Sequence, residues 1–138
     1  MEKFGKSQPV KRVEDVRFLT GHGRYVDDIA PADALHAYYL RSPAAHAEIV
    51  TLDVTEARAA EGVAAVLTIE DLEAAGMGIH IGTTVVKNRD GTMGAEPLRP
   101  ALAKGRVRHV GEPMAVVFAE TPDQARDAAE LIDYDLKE

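Results

Sequence analysis

"HVGEPMAVVFAE", residues 109–120, decides how this chain is read. Its second half, residues 114–119, is an unbroken apolar run, the pattern of a strand buried on both faces. Directly before it stand Gly111, Glu112 and Pro113. Glycine weakens a strand and proline removes a ladder donor, yet proline is tolerated at a strand's first residue or at a bulge. The expectation is two arms, 107–110 and 114–119, with a bend at Gly-Glu-Pro. That bend would carry the chain from an outer pairing into a central sheet. The Glu112 side chain would turn toward solvent or a backbone donor.

Downstream the chain reads "ETPDQARDAAELIDYDL". Thr121 fits an N-cap, Pro122 the first helical position and Gln124 the third, which together make a capping box. Ala125, Ala128, Ala129 and Ile132 follow at i, i+3, i+4 and i+7, small enough for the helix to lie close to a sheet. "IDYDL" would close as a final strand.

Upstream, residues 1–10 read as a flexible lead-in. "RVEDVRFLTG" is expected to hold a short helix with Val13, Val16 and Phe18 as its apolar members, ended by Gly21 and Gly23. "RYVDDI" is a candidate strand. "LHAYYLR", 35–41, and "HAEIVTLDV", 46–54, read as two strands interrupted by Pro43. In the second, Ala47 and Ile49 share one face and Val50, Leu52 and Val54 the other. "TEARAAEG" follows as a short helix, with Thr55 as cap and Gly62 as a left-handed terminator. "VAAVLT" is a short buried strand. "TIED" has capping-box spacing, with Asp71 in place of Glu or Gln, and predicts one helical turn through Leu72. Residues 76–105 hold six of the eleven glycines and two prolines. They read as an irregular insertion, either a loose hairpin turning at Asp90-Gly91 or a segment ordered by a partner. Residues 76–100 are expected to be the most mobile internal part. The element order gives an α+β fold: a mixed β-sheet with two main helices on one side and an irregular insertion.

The 138 residues suit one domain, assigned here to 11–138. A chain of this length buries roughly 70% of its unfolded surface without staples. It has no cysteine, which excludes disulfides and any cysteine-ligated iron–sulfur cluster within it and fits a cytoplasmic protein. No window is apolar enough for a membrane span, and the charged N-terminus is no Sec signal peptide. The net charge of −7 and the absence of tryptophan argue against nucleic-acid binding. Residues 120–138 carry seven acids against Arg126 and Lys137, the pattern of a solvated acidic face. Residues 1–24 lean basic and read as a solvated or partner-bound arm.

Candidate chemistry is sparse. Asp27 and Asp28, as successive strand residues, would face opposite ways. His22, His36, His46, His80 and His109 lack the i,i+4 spacing of a helical metal pair. Ser42 lies four residues from His46 with no orienting acid in view. The flanks of Lys87 do not support a carrier-lysine role. "TGHGRYV" lacks the third glycine and the helix of a dinucleotide loop. No catalytic, cofactor-binding or metal residue is assigned.

Four stretches together resemble one family: "RVEDVRFLTGHGRYVDDI" in the 11–29 region, "LHAYYLRSPAAHAEIVTLDVTEA" (35–57), "GVAAVLTIEDL" (62–72) and "VRHVGEPMAVVFAETPDQARDAAELIDYD" (107–135). In order and spacing they are similar to the N-terminal α/β-hammerhead domain of molybdenum hydroxylase large subunits. That family includes xanthine dehydrogenase, aldehyde oxidase and aerobic carbon monoxide dehydrogenase, and the long opening motif looks most like the bacterial large chains of the carbon monoxide dehydrogenase type. The resemblance implies a packing domain of an oxidoreductase that hydroxylates its substrate with water-derived oxygen. It implies molybdenum–pterin, two 2Fe-2S clusters and FAD in the full complex, none bound by this chain. The implied partners are the C-terminal molybdenum-binding part of the large subunit and the iron–sulfur and flavin subunits. Glu112 does not match the family's catalytic glutamate motif. On this reading the native frame continues past Glu138 or a separate chain supplies the rest, and the isolated chain is inactive with partner-facing apolar surface. The competing reading is a stand-alone protein-binding or assembly module without catalysis.

Overall fold

The computed structural model describes residues 11–77, 86–94 and 99–138. The chain divides into two compact units, Met1–Ala34 and Leu35–Glu138.

In the first unit the expected helix forms as α1, Asp15–Leu19, begun by the Asp15 carboxylate accepting the Arg12 N–H at 3.0 Å. Val13 and Val16 remain exposed, while Phe18 stacks on Tyr25 with ring centroids 5.3 Å apart. "RYVDDI" is not a strand. Val26–Ile29 is a 3-10 turn, because the Asp28 carboxylate accepts the Tyr25 N–H at 2.9 Å and closes the backbone on itself. The lead-in assigned to 1–10 lies outside the described residues.

The second unit runs β1 His36–Arg41, β2 Ala47–Asp53, α2 Thr55–Ala59, β3 Val63–Leu67, α3 Ile69–Ala74, β4 Arg106–Val107, β5 Pro113–Ala119, α4 Pro122–Glu130 and β6 Asp133–Lys137. The α+β class holds. The single mixed sheet does not: among the described residues the strands form two antiparallel sheets, β1-β5-β3 and β4-β2-β6. Helices also cover both faces of the first sheet rather than one. Ala115, Val117 and Ala119 of β5 pack under Ala125, Ala128 and Ala129 of α4. On the opposite face Val116 meets Ile69 of α3 and Leu102. An unbroken apolar run needs cover on both sides, and β5 has it.

Caps fix the helices. The Thr121 hydroxyl accepts the Gln124 N–H at 3.2 Å, with Pro122 at the first helical position. The box is half-made, because the Gln124 side chain meets the Thr121 hydroxyl instead of the backbone N–H. At α3 the Asp71 carboxylate accepts the Thr68 N–H at 2.8 Å, and the helix runs two residues past Leu72, to Ala74. At α2 the expected cap is displaced. Thr55 is already helical, and Asp53 takes its N–H and hydroxyl at 2.9 and 2.6 Å. Gly62 is left-handed, φ 76°, and a Cβ there would collide with the Gln124 side chain.

Val50 departs from its expected face. Ile49 pairs with Leu136 and Thr51 with Asp135, so Val50 is the extra residue of a bulge and is half exposed. Within the insertion, Lys87 and Met93 bridge across a turn at Asp90-Gly91, with the Asn88 N–H on the Thr92 carbonyl at 2.8 Å. Its other expected parts, 78–85 and 95–98, lie outside the described residues. Leu102 and Ala103 are buried, and the Ala103 N–H donates to the Pro113 carbonyl at 2.7 Å.

Candidate functional site

Successive strands alternate between the two sheets, and two of the crossings are short direct links. Residues 42–46 lead from β1 in the first sheet to β2 in the second, and residues 108–112 lead from β4 in the second to β5 in the first. The two crossings lie side by side and share backbone bonds. The Gly111 N–H donates to the Ser42 carbonyl at 2.8 Å, and the Ser42 N–H donates to the Glu112 carbonyl at 2.9 Å. Arg41 Nη1 adds a bond to the Gly111 carbonyl at 2.9 Å, with its guanidinium 5.4 Å from the centre of the Tyr39 ring. "RSPAAHA" and "VGEP", distant in sequence, thus form one junction.

Each breaker has a task there. Gly111 has φ 85°, a conformation costly for any residue with a Cβ. Pro113 opens β5 opposite Arg41, where the register skips Met114. The freed Met114 drops into a cluster with Ala44, Ala47, Ala103 and Val107. The bend inferred from sequence is present. Its outer arm is shorter than expected: only Arg106–Val107 is strand, and 108–112 is the turn. Glu112 is 7% exposed. Its carboxylate accepts the Arg108 backbone N–H, with the Arg108 guanidinium 3.6 Å and the His109 ring 3.8 Å away. Of the two expected fates for that side chain, the backbone donor is realised.

The other weighed residues do not converge. Ser42 is buried and its hydroxyl donates to the Ala44 carbonyl at 3.0 Å, a loop-closing role, while His46 is exposed. Asp28 caps its turn. His22 meets the Thr20 hydroxyl at 3.0 Å, and His80 lies outside the described residues. Asp53, Asp71 and Asp90 have pKa values below the usual carboxylate range. Asp53 and Asp90 are held down by threonine hydroxyls, Asp71 first by the Thr68 N–H and further by Arg58. These carboxylates close a helix cap at Asp71 and local turns at Asp53 and Asp90, and are not acid–base candidates. Among the described residues no three His, Asp or Glu side chains come together to hold a metal, and no helix is long and apolar enough to cross a membrane. With no cysteine in the chain, its donor set does not fit an iron–sulfur cluster.

A feature the sequence reading missed lies beside the junction. A groove of about 380 Å³ runs along β1, lined by Tyr38, Leu40, Arg41, Ala129, Ile132 and Tyr134 among others.

The model of the family described as "Aldehyde oxidase and xanthine dehydrogenase, a/b hammerhead domain" matches residues 20–138. The nicotine 6-hydroxylase large subunit of Paenarthrobacter nicotinovorans is 42% identical over 134 residues, 97% of this chain and 15% of that protein. The carbon monoxide dehydrogenase large chain of Afipia carboxidovorans is 37% identical over 125 residues, 91% of this chain and 14% of that protein. The crystal structure of quinoline 2-oxidoreductase from Pseudomonas putida 86 superposes with a TM-score of 0.82 at 41% identity, covering 94% of this chain and 16% of that one. The chain therefore spans about 15% of the length of these two curated relatives.

Proposed function

The chain belongs to the aldehyde oxidase and xanthine dehydrogenase hammerhead-domain family, and on that premise we propose that it is a packing domain of a molybdenum hydroxylase large subunit. The likeness to large chains across nearly its whole length carries this reading. Residues 11–138 form the hammerhead domain. Substrate chemistry belongs to polypeptide beyond this domain: the weighed carboxylates, Asp28, Asp53, Asp71 and Glu112, are engaged by local backbone and hydroxyl donors. The molybdenum–pterin sits in the remainder of the large subunit, and 2Fe-2S clusters and FAD sit in partner subunits. The complex works in the cytoplasm.

Purification from the source organism through a tag on this chain tests the reading. Molybdenum, iron and flavin in the copurified material are the expected result. A metal-free chain of this mass alone would contradict it and favour a stand-alone binding module.

A further inference from the structure

Among the described residues four strands stand at sheet edges: β1 and β3 in the first sheet, β4 and β6 in the second. Open edges recruit other strands unless something blocks them, and short length, charge or a covering group does so. β4 is two residues long. β6 carries Asp133, Asp135 and Lys137 in five residues. At β3 the Arg58 guanidinium takes the Val66 carbonyl at 3.1 and 3.2 Å, held there by Asp71 at 2.6 Å. Among the described residues β1 carries one charge, Arg41 at its last position, and that guanidinium is turned onto the Gly111 carbonyl and the Tyr39 ring. The strand is six residues long, HAYYLR, without an acid, a lysine or a proline. Among the described residues β5 is its sole strand partner. Tyr38 and Tyr39 are 42% and 44% exposed, and the groove under α4 runs alongside.

We propose that β1 is a docking edge that accepts an extended segment from the molybdenum-bearing remainder of the large subunit, which adds to β1 as a further strand. An unblocked row of backbone donors and acceptors is matched by a strand and not by a helix, whose own backbone groups are already paired. Alternate side chains of the incoming strand enter the groove over Leu40 and Ile132. This rests on the function proposed above, since that remainder makes up about 85% of the relatives' length, the share this chain does not span.

Amide hydrogen exchange of residues 36–41 tests the proposal, measured in the complex captured through a tag on this chain and in the chain alone. Outward β1 amides should exchange at least about tenfold more slowly in the complex. Molybdenum present with unchanged exchange at 36–41 overturns the edge pairing and leaves the functional reading standing. Absence of molybdenum overturns both. Protection of the Tyr38 and Tyr39 rings from oxidative labelling without amide protection means a non-strand contact and also overturns it. Tyr38→Lys, which places a charge at the open edge, should lower molybdenum recovery about tenfold, while Tyr38→Phe retains it and both chains alone keep their Tm. Full molybdenum recovery with Tyr38→Lys contradicts the pairing.

Discussion

β1 and β5 are neighbours in one sheet, and both are written largely in apolar and aromatic residues. β5 is buried along almost its whole length, whereas β1 is exposed everywhere except Leu40. The difference lies largely in cover. β5 has a strand on each side, α4 over one face, and α3 with Leu102 over the other. β1 shares α4 with β5 but, among the described residues, has a strand on one side only. An apolar strand therefore records what it is meant to touch, and in β1 much of that contact is not made within the described residues.

Substitutions should separate the two strands sharply. Met114→Ala empties a fully buried site where the sheets meet, and should cost about 2–5 kcal/mol in denaturant unfolding. Glu112→Ala leaves the Arg108 N–H without its acceptor at the crossing that feeds β5. It should cost about 1–3 kcal/mol, and a neutral result would mean the turn is held by its backbone bonds alone. Thr121→Ala removes the cap of the helix lying on β5, a loss of about 1 kcal/mol by thermal unfolding.

A smaller effect is expected at the Arg58–Asp71 contact that blocks the β3 edge. The folded pKa of Asp71 is depressed, so its contribution is present above the ordinary carboxylate value and is lost as pH falls through the folded value. Unfolding followed from pH 6 down to pH 2 should show Asp71→Asn losing part of the wild-type acid sensitivity, first through the bond from the Thr68 N–H and then through Arg58; an unchanged slope would count against both interactions. At the bottom of the scale, Tyr38→Ala should change the stability of the chain alone by no more than about 0.5 kcal/mol. A loss comparable with that of Met114→Ala would mean that β1 is already packed.

Much of this was legible in the sequence. The β5 run, the cap at Thr121, the box at Thr68 and the left-handed Gly62 are local patterns whose cause lies within a few residues. The Gly-Glu-Pro bend was legible too, because proline and glycine state where a ladder cannot continue. Other features depend on distant partners. "RYVDDI" alternates like a strand, but Asp28 is close enough to take the Tyr25 N–H, and the local bond wins. The extra residue at Val50 is set by the register with β6, 80 and more residues downstream in sequence. The junction between the two sheets joins two of the crossings at Ser42 and Gly111, residues far apart in sequence. The family was legible from four motifs, of which two, "RSPAAHA" and "VGEP", prove to be the two halves of that junction.

Residue-resolved hydrogen exchange on the chain alone, comparing 36–41 with 113–119, tests the contrast most directly. β5 amides should exchange only through global unfolding. β1 amides should fall into two classes, those bonded to β5 and an outward row about a hundredfold faster. Uniform protection of β1 at the level of β5 would contradict an open edge.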